Sequence, residues 1–82
     1  MKKYNGWTNR ETWVFHLHLN NEYELCKLVE SWKILPIKNI KKNLKLLIIK
    51  FYFESESNHI LKDVGDLSKI NFQEIAEAIR QS

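Results

Sequence analysis

A chain of 82 residues with two glycines and one proline has few places at which it can reverse tightly. A sandwich or barrel of many strands needs turn residues at regular intervals, so this shortage points away from an all-β architecture. The sequence offers instead a series of helix-start signals, each followed by apolar residues at helical spacing. Its 44% hydrophobic content is enough to build one small core. A chain of this length buries roughly 60–65% of its unfolded surface, so a single domain over residues 1–82 is expected.

The first start lies in "NGWTNRETW". Thr8 is followed three residues later by Glu11, the pattern of a capping box, and a helix is predicted from about Asn9 to Leu19. Trp7 precedes the cap as a hydrophobic staple towards Thr12 and Trp13. Trp13 and Leu17 share one face with Val14 beside them, while Phe15 and Leu19 lie round the other side. The alternation in "VFHLHL" also fits a strand, and the cap decides for a helix. Asn21 with Glu24 repeats the signal, and Leu25, Leu28, Val29 and Trp32 follow at helical spacing until Pro36.

The next segment, "NIKKNLKLLIIKFYFE", aligns Ile40, Leu44, Leu47, Ile48 and Phe51 on one stripe, with Lys38, Lys41, Lys42 and Lys45 opposite. From Leu46 onwards it is apolar nearly all round, which predicts a central element covered on several sides. A strand near 46–53 is the competing reading, because isoleucine and aromatics favour strands. "ESESN" at residues 54–58 reads as a solvated link. "HILKDVGDLSKI" reads as a short helix weakened by Gly65. Asn71 and Glu74 form a last capping box before Phe72, Ile75, Ala76 and Ile79. The fold class expected is mainly α, a compact bundle of four to five short helices, with α+β as the alternative.

Charge is unevenly placed. Six lysines and no acid lie between Lys33 and Lys50, whereas acids dominate from Glu54 to Glu77. The single cysteine, Cys26, excludes an internal disulfide and suggests a reducing, cytoplasmic setting. No apolar run approaches the length of a bilayer span, and the basic start lacks the apolar region of a secretory signal, so no membrane partner is expected.

The opening "YNGWTNRETWVFHLHLNNE" resembles the start of a group of small proteins of phages, plasmids and archaeal viruses. These begin with an Asn-Gly-Trp-Thr-Asn-x-Glu-Thr-Trp block and end with a segment similar to "DLSKINFQEIAEAI". Both blocks occur here in that order, at residues 4–22 and 66–79. The lysine-rich middle departs from the group. The resemblance carries no catalytic residues; it implies an accessory viral or mobile-element role in a host cell, of anti-CRISPR or anti-restriction type.

The residues themselves point away from an enzyme. His16 and His18 project about 200° apart on a helix and cannot share a metal there. Cys26 falls within an apolar stripe, where a free thiol behaves as a small hydrophobe. There is no glycine-rich phosphate loop, and neither metal nor cofactor is expected.

Lys38, Lys41, Lys42 and Lys45 could contact phosphates or an acidic partner, although a solvated helix face is the preferred bland reading. With arginine limited to Arg10 and Arg80, bidentate base readout is not expected. "FQEIAEAI" is taken as a closing amphipathic helix and not as half of a helix-turn-helix. The aromatics are many for one small core, so some should face a partner. Trp13 and Trp32 are assigned to the core, and Tyr4, Trp7, Arg10 and Tyr23 to partner binding. Part of the apolar excess could be buried in a homodimer through residues 51–53. The expectation is a non-enzymatic interaction protein that binds and inhibits a host defence protein or ribonucleoprotein complex. A small basic nucleic-acid-binding accessory protein is the alternative.

Overall fold

The five main helices follow one another with short connections. A computed structural model describes residues 4–54 and 58–81. Helix α1 spans Arg10–Asn21, α2 Tyr23–Glu30, α3 Ile37–Phe53, α4 Asn58–Val64 and α5 Phe72–Gln81. Single 3₁₀ turns, Ser31–Ile34 and Leu67–Lys69, lead into α3 and α5. The fold is mainly α. Among the described residues the strand alternative over 46–53 is not realised: that segment is the second half of α3.

One core cluster holds the bundle together. Phe15 and Leu19 of α1, Val29 of α2, Ile40, Leu44, Leu47 and Phe51 of α3, Ile60 and Val64 of α4, and Ile75, Ala76 and Ile79 of α5 are all buried. Helix α3 packs against α4 and α5, and α1 packs against α2, α4 and α5. Trp7, Trp13, Leu25, Trp32 and Ile48 are partly buried and lean on this cluster from outside.

Several local expectations need correction. The N-cap of α1 is Asn9 and not Thr8: the Thr12 amide donates to Asn9 Oδ1 at 2.9 Å. Thr8 and Asn9 are both good cap formers, and the Thr8 hydroxyl is turned to Asn71 Nδ2 at 3.4 Å. Asn21 does not cap α2; it is the last residue of α1, and Glu22 precedes α2 without a side-chain cap bond. The inward face of α1 is also rotated. Thr12 and Phe15 are fully buried with Leu19, while Trp13 and Leu17 are half-buried. Trp7 stacks on His16, ring centroids 4.3 Å apart, in place of the expected staple against Thr12.

Helix α3 is long, and its two ends behave as the apolar stripe dictates, yet only one side is covered. Leu46 and Ile49 are each 52% exposed, Tyr52 68% and Phe53 80%. The expectation of cover on several sides is overturned because α3 lies at the margin of the bundle, with its stripe turned to α4 and α5. Of the predicted link over 54–58, Glu54 caps α3 and Asn58 opens α4, while residues 55–57 lie outside the described residues. Gly65 ends α4 with φ +88°, a left-handed position that suits glycine at a helix C-terminus.

Candidate interaction surface

The polar residues of the opening block bond mostly to distant segments of the chain. The Thr8 amide donates to Glu74 Oε1 at 3.0 Å, and the Asn71 amide donates to Thr12 Oγ1 at 2.9 Å. Asn9 Nδ2 donates to the Lys69 carbonyl at 2.7 Å. Asn71 does cap α5, since the Glu74 amide donates to Asn71 Oδ1 at 3.1 Å. The second half of that predicted capping box is replaced: the Glu74 carboxylate reaches Thr8, 66 positions away, and not the Asn71 amide. The two sequence blocks at residues 4–22 and 66–79 therefore interlock.

Arg10 belongs to the same arrangement. Its guanidinium donates to the Val64 carbonyl at 3.2 Å and the Asp63 carbonyl at 2.9 Å, closing the C-terminal end of α4. Such carbonyls lack partners within their own helix, so a cation there satisfies them and complements the helix dipole. Tyr4 and Trp7 exchange backbone hydrogen bonds of 2.9 and 2.7 Å around the turn Asn5–Gly6, both at positive φ. The Tyr4 ring lies 5.0 Å from Trp13, so this aromatic group rests on α1. Tyr23 is 72% exposed at the start of α2, with Lys27 Nζ 5.0 Å from its ring centroid. Of the four residues assigned to partner binding, Tyr4, Trp7 and Arg10 share the α1 end, and Tyr23 stands on the next helix.

The outward side of α3 is the larger exposed feature. Helical spacing puts Lys38, Lys42, Leu46, Ile49 and Phe53 along one strip, with Lys45 and Tyr52 beside it. Lys38, Lys42 and Lys45 are exposed and Lys41 is half-buried. None of the four forms an ion pair among the described residues, although Lys45 Nζ lies 5.7 Å over the Phe72 ring. The strip is thus basic in its first half and apolar in its second. Of residues 51–53, Phe51 is buried in the core and only Tyr52 and Phe53 face outward. The apolar half was hidden in the sequence because its residues read equally well as a covered centre. The signal that could have found it is the second apolar row, Leu46, Ile49 and Phe53, which helical spacing sets in line with Lys38 and Lys42 and apart from the Ile40–Phe51 stripe.

A cleft of about 280 Å³ opens between α1, α2 and α5. Leu19, Val29, Ile75 and Ile79 supply apolar wall, and His16, Cys26, Glu30 and Lys33 supply polar groups. Lys33 Nζ lies 3.6 Å from Glu30 Oε1. Burial lowers the His16 pKa below its ordinary value, favouring the neutral ring. Asn20 Nδ2 lies 2.6 Å from His16 Nε2, whereas Nδ1 is buried without a hydrogen-bond partner among the described residues. His18 turns the other way, to Asp63 Oδ2 at 2.9 Å, with the His59 ring 5.9 Å off. His16 and Cys26 thus meet at one cleft while His18 does not. No group of three metal-ligating side chains occurs among the described residues. No helix among them is long and apolar enough to cross a membrane.

Comparison with known proteins yields one family model, which matches residues 1–81 and is described as a family of unknown function. No curated protein and no solved structure matches the chain.

Proposed function

The chain belongs to that family, DUF7249, and we propose that it is a non-enzymatic interaction protein of viral or mobile-element origin that binds and restrains a host defence component. The observation that carries this reading is the basic half of the outward strip of α3, where Lys38, Lys42 and Lys45 are exposed and form no ion pair among the described residues. Cationic groups of this kind steer an acidic partner into place. The partner is a defence protein or ribonucleoprotein complex of the host cytoplasm, met at an acidic patch or at its bound nucleic acid. The opening and closing blocks that resemble viral and plasmid proteins support the biological setting; the strip supports the mode of binding.

The test is expression in strains that each carry one CRISPR or restriction system, with plaquing of a targeted phage as readout. Wild type should restore plaquing in at least one strain, and changing Lys38, Lys41, Lys42 and Lys45 to glutamate should abolish the rescue. Failure to rescue in every strain, or full rescue by the variant, would sink the proposal.

The absence of any acid between Ile37 and Phe53 favours a second reading, a small accessory protein that contacts nucleic-acid phosphates through the same four lysines. Four phosphate contacts give a slope of roughly −3.6 in log affinity against log salt on duplex DNA. A protein that shows no retention on DNA or RNA at low salt is not of this kind.

A further inference from the structure

We propose that α3 pairs antiparallel with α3 of a second copy of this chain, each Phe53 seated in a hole on its partner. This goes beyond the defence-directed reading and does not rest on it.

The argument starts from a hole and a knob on the same surface. Asn43, Leu46, Leu47 and Lys50 lie three, four and seven positions apart, the four-residue diamond that receives a side chain when helices interdigitate. In this structure they line a groove of about 270 Å³, backed by Leu28 of α2 and Trp32 of the following turn. Phe53 stands less than two turns further along the same helix and is 80% exposed. No knob from this chain's α3 can fill a hole on its own axis. A second copy running the other way places its Phe53 over the first copy's groove, and the twofold returns the favour at the other end.

The register follows from the numbering. Seating Phe53 opposite the centre of its partner's diamond sets the twofold beside Ile49 and Lys50. Leu46 of each copy then faces Phe53 of the other, and the two Ile49 side chains lie next to the axis. Tyr52 and Phe53 bring aromatic surface of on the order of 300 Å² per copy, so with Leu46, Ile49 and Leu28 the pair buries on the order of 1,000 Å². That meets the lower limit for a specific interface.

Charge selects the direction. Lysines 38, 41 and 42 occupy the first turns of α3, where the helix dipole is positive, and Glu54 stands at its negative end. This is the reverse of what a lone helix favours. In the antiparallel pair position 45 faces position 54, so Lys42 and Lys45 bracket the C-terminal end of the second copy's α3. The intrachain Lys50–Glu54 pairs, 3.8 Å within one copy, meet on one flank of the axis as two positive and two negative charges. A parallel pair would stack the lysine halves on each other.

Sedimentation equilibrium over a concentration series should give twice the mass of one chain. Phe53→Asp should give the single-chain mass with an unchanged helical circular dichroism spectrum, because within its own copy that side chain is 80% exposed and its ring meets only the equally outlying Tyr52. Ile49→Glu and Ile49→Lys should each be monomeric alone and should form a dimer when mixed, a rescue that misfolding cannot imitate. For direction, Lys42→Cys in a Cys26→Ser background should not crosslink to itself through a short bis-maleimide, since the two positions stand about 20 Å apart along the helices. Wild type of single-chain mass throughout, a dimer that survives Phe53→Asp, or Lys42→Cys chains that crosslink to each other would overturn the inference. A monomer that still rescues phage plaquing overturns this inference alone, and a dimer that rescues nothing overturns only the functional reading.

Discussion

The amide of Thr8 and the carboxylate of Glu74 are hydrogen-bonded at 3.0 Å across 66 positions of sequence, and Glu74 is only 7% exposed there. The Asn71 amide repeats the relationship with Thr12, whose hydroxyl is wholly buried. Polar residues that read as helix-start chemistry at both ends of the chain thus serve each other. The motif "NGWTNRETW" owes much of its composition to that closure, with Asn9 as cap, Thr12 as acceptor and Arg10 on the end of α4.

Thr12→Val removes the acceptor of the Asn71 amide while keeping the shape of the side chain. A buried donor left without a partner costs about 1–3 kcal/mol, so the urea midpoint should fall accordingly with an unchanged slope. Thr12→Ser, which keeps the hydroxyl, should lose less. Equal losses from the two variants would show that packing and not the hydrogen bond is at stake.

Arg10→Met should act locally, because among the described residues the guanidinium holds the carbonyls of Asp63 and Val64. Amide hydrogen exchange over 58–65 should speed up relative to wild type, while exchange in the core turns of α3 stays as it was. Uniform acceleration across all five helices would contradict this assignment.

Gly65→Ala tests the backbone alone. A Cβ at Gly65 meets no atom within 4 Å, so the cost is that of holding a non-glycine residue at φ +88°, about 1 kcal/mol. Gly65→Asn should cost less, because asparagine tolerates the left-handed region better. Thermal unfolding that leaves the alanine variant level with wild type would rule out strain at this corner.

His16 sets a pH dependence. Burial lowers its pKa in the folded protein below 6.5, so the unfolded chain takes up its proton first as pH falls. The stability it contributes is present above 6.5 and is lost as pH drops below that value towards the folded-state pKa. The comparison that isolates this group is with His16→Gln. The variant should lose less stability than wild type on acidification. The same acid slope in both proteins would remove His16 from the account.

How far the sequence reaches is clear from particular residues. The stripe Ile40, Leu44, Leu47 and Phe51 is legible, because apolar spacing over 17 residues leaves one consistent inward face. Asn71 as the cap of α5 is legible for the same local reason. The cap of α1 is not: Thr8 and Asn9 both fit, and in the fold the Thr8 amide and hydroxyl meet Glu74 and Asn71 while Asn9 takes the Thr12 amide. The buried Thr12 likewise meets a distant partner, the Asn71 amide, and no periodicity within the helix discloses it. For the candidate surface, the lysine side was readable from spacing. Its apolar continuation was not, since isoleucine, tyrosine and phenylalanine signal burial whether the cover comes from this chain or from another.

The interlock of the two ends bears on when this protein can become stable during its synthesis. Helix α1 leaves the ribosome early, with the Thr12 hydroxyl and the Thr8 amide still lacking their partners. Those partners, Asn71 and Glu74, are translated 59 and 66 positions later. Until they emerge, Phe15 has no α5 to pack on, and contacts of such long sequence separation are the slowest to close. The nascent chain is therefore committed late, and a message cut short before Asn71 yields an open polypeptide for the cell's proteases in place of a smaller working fold.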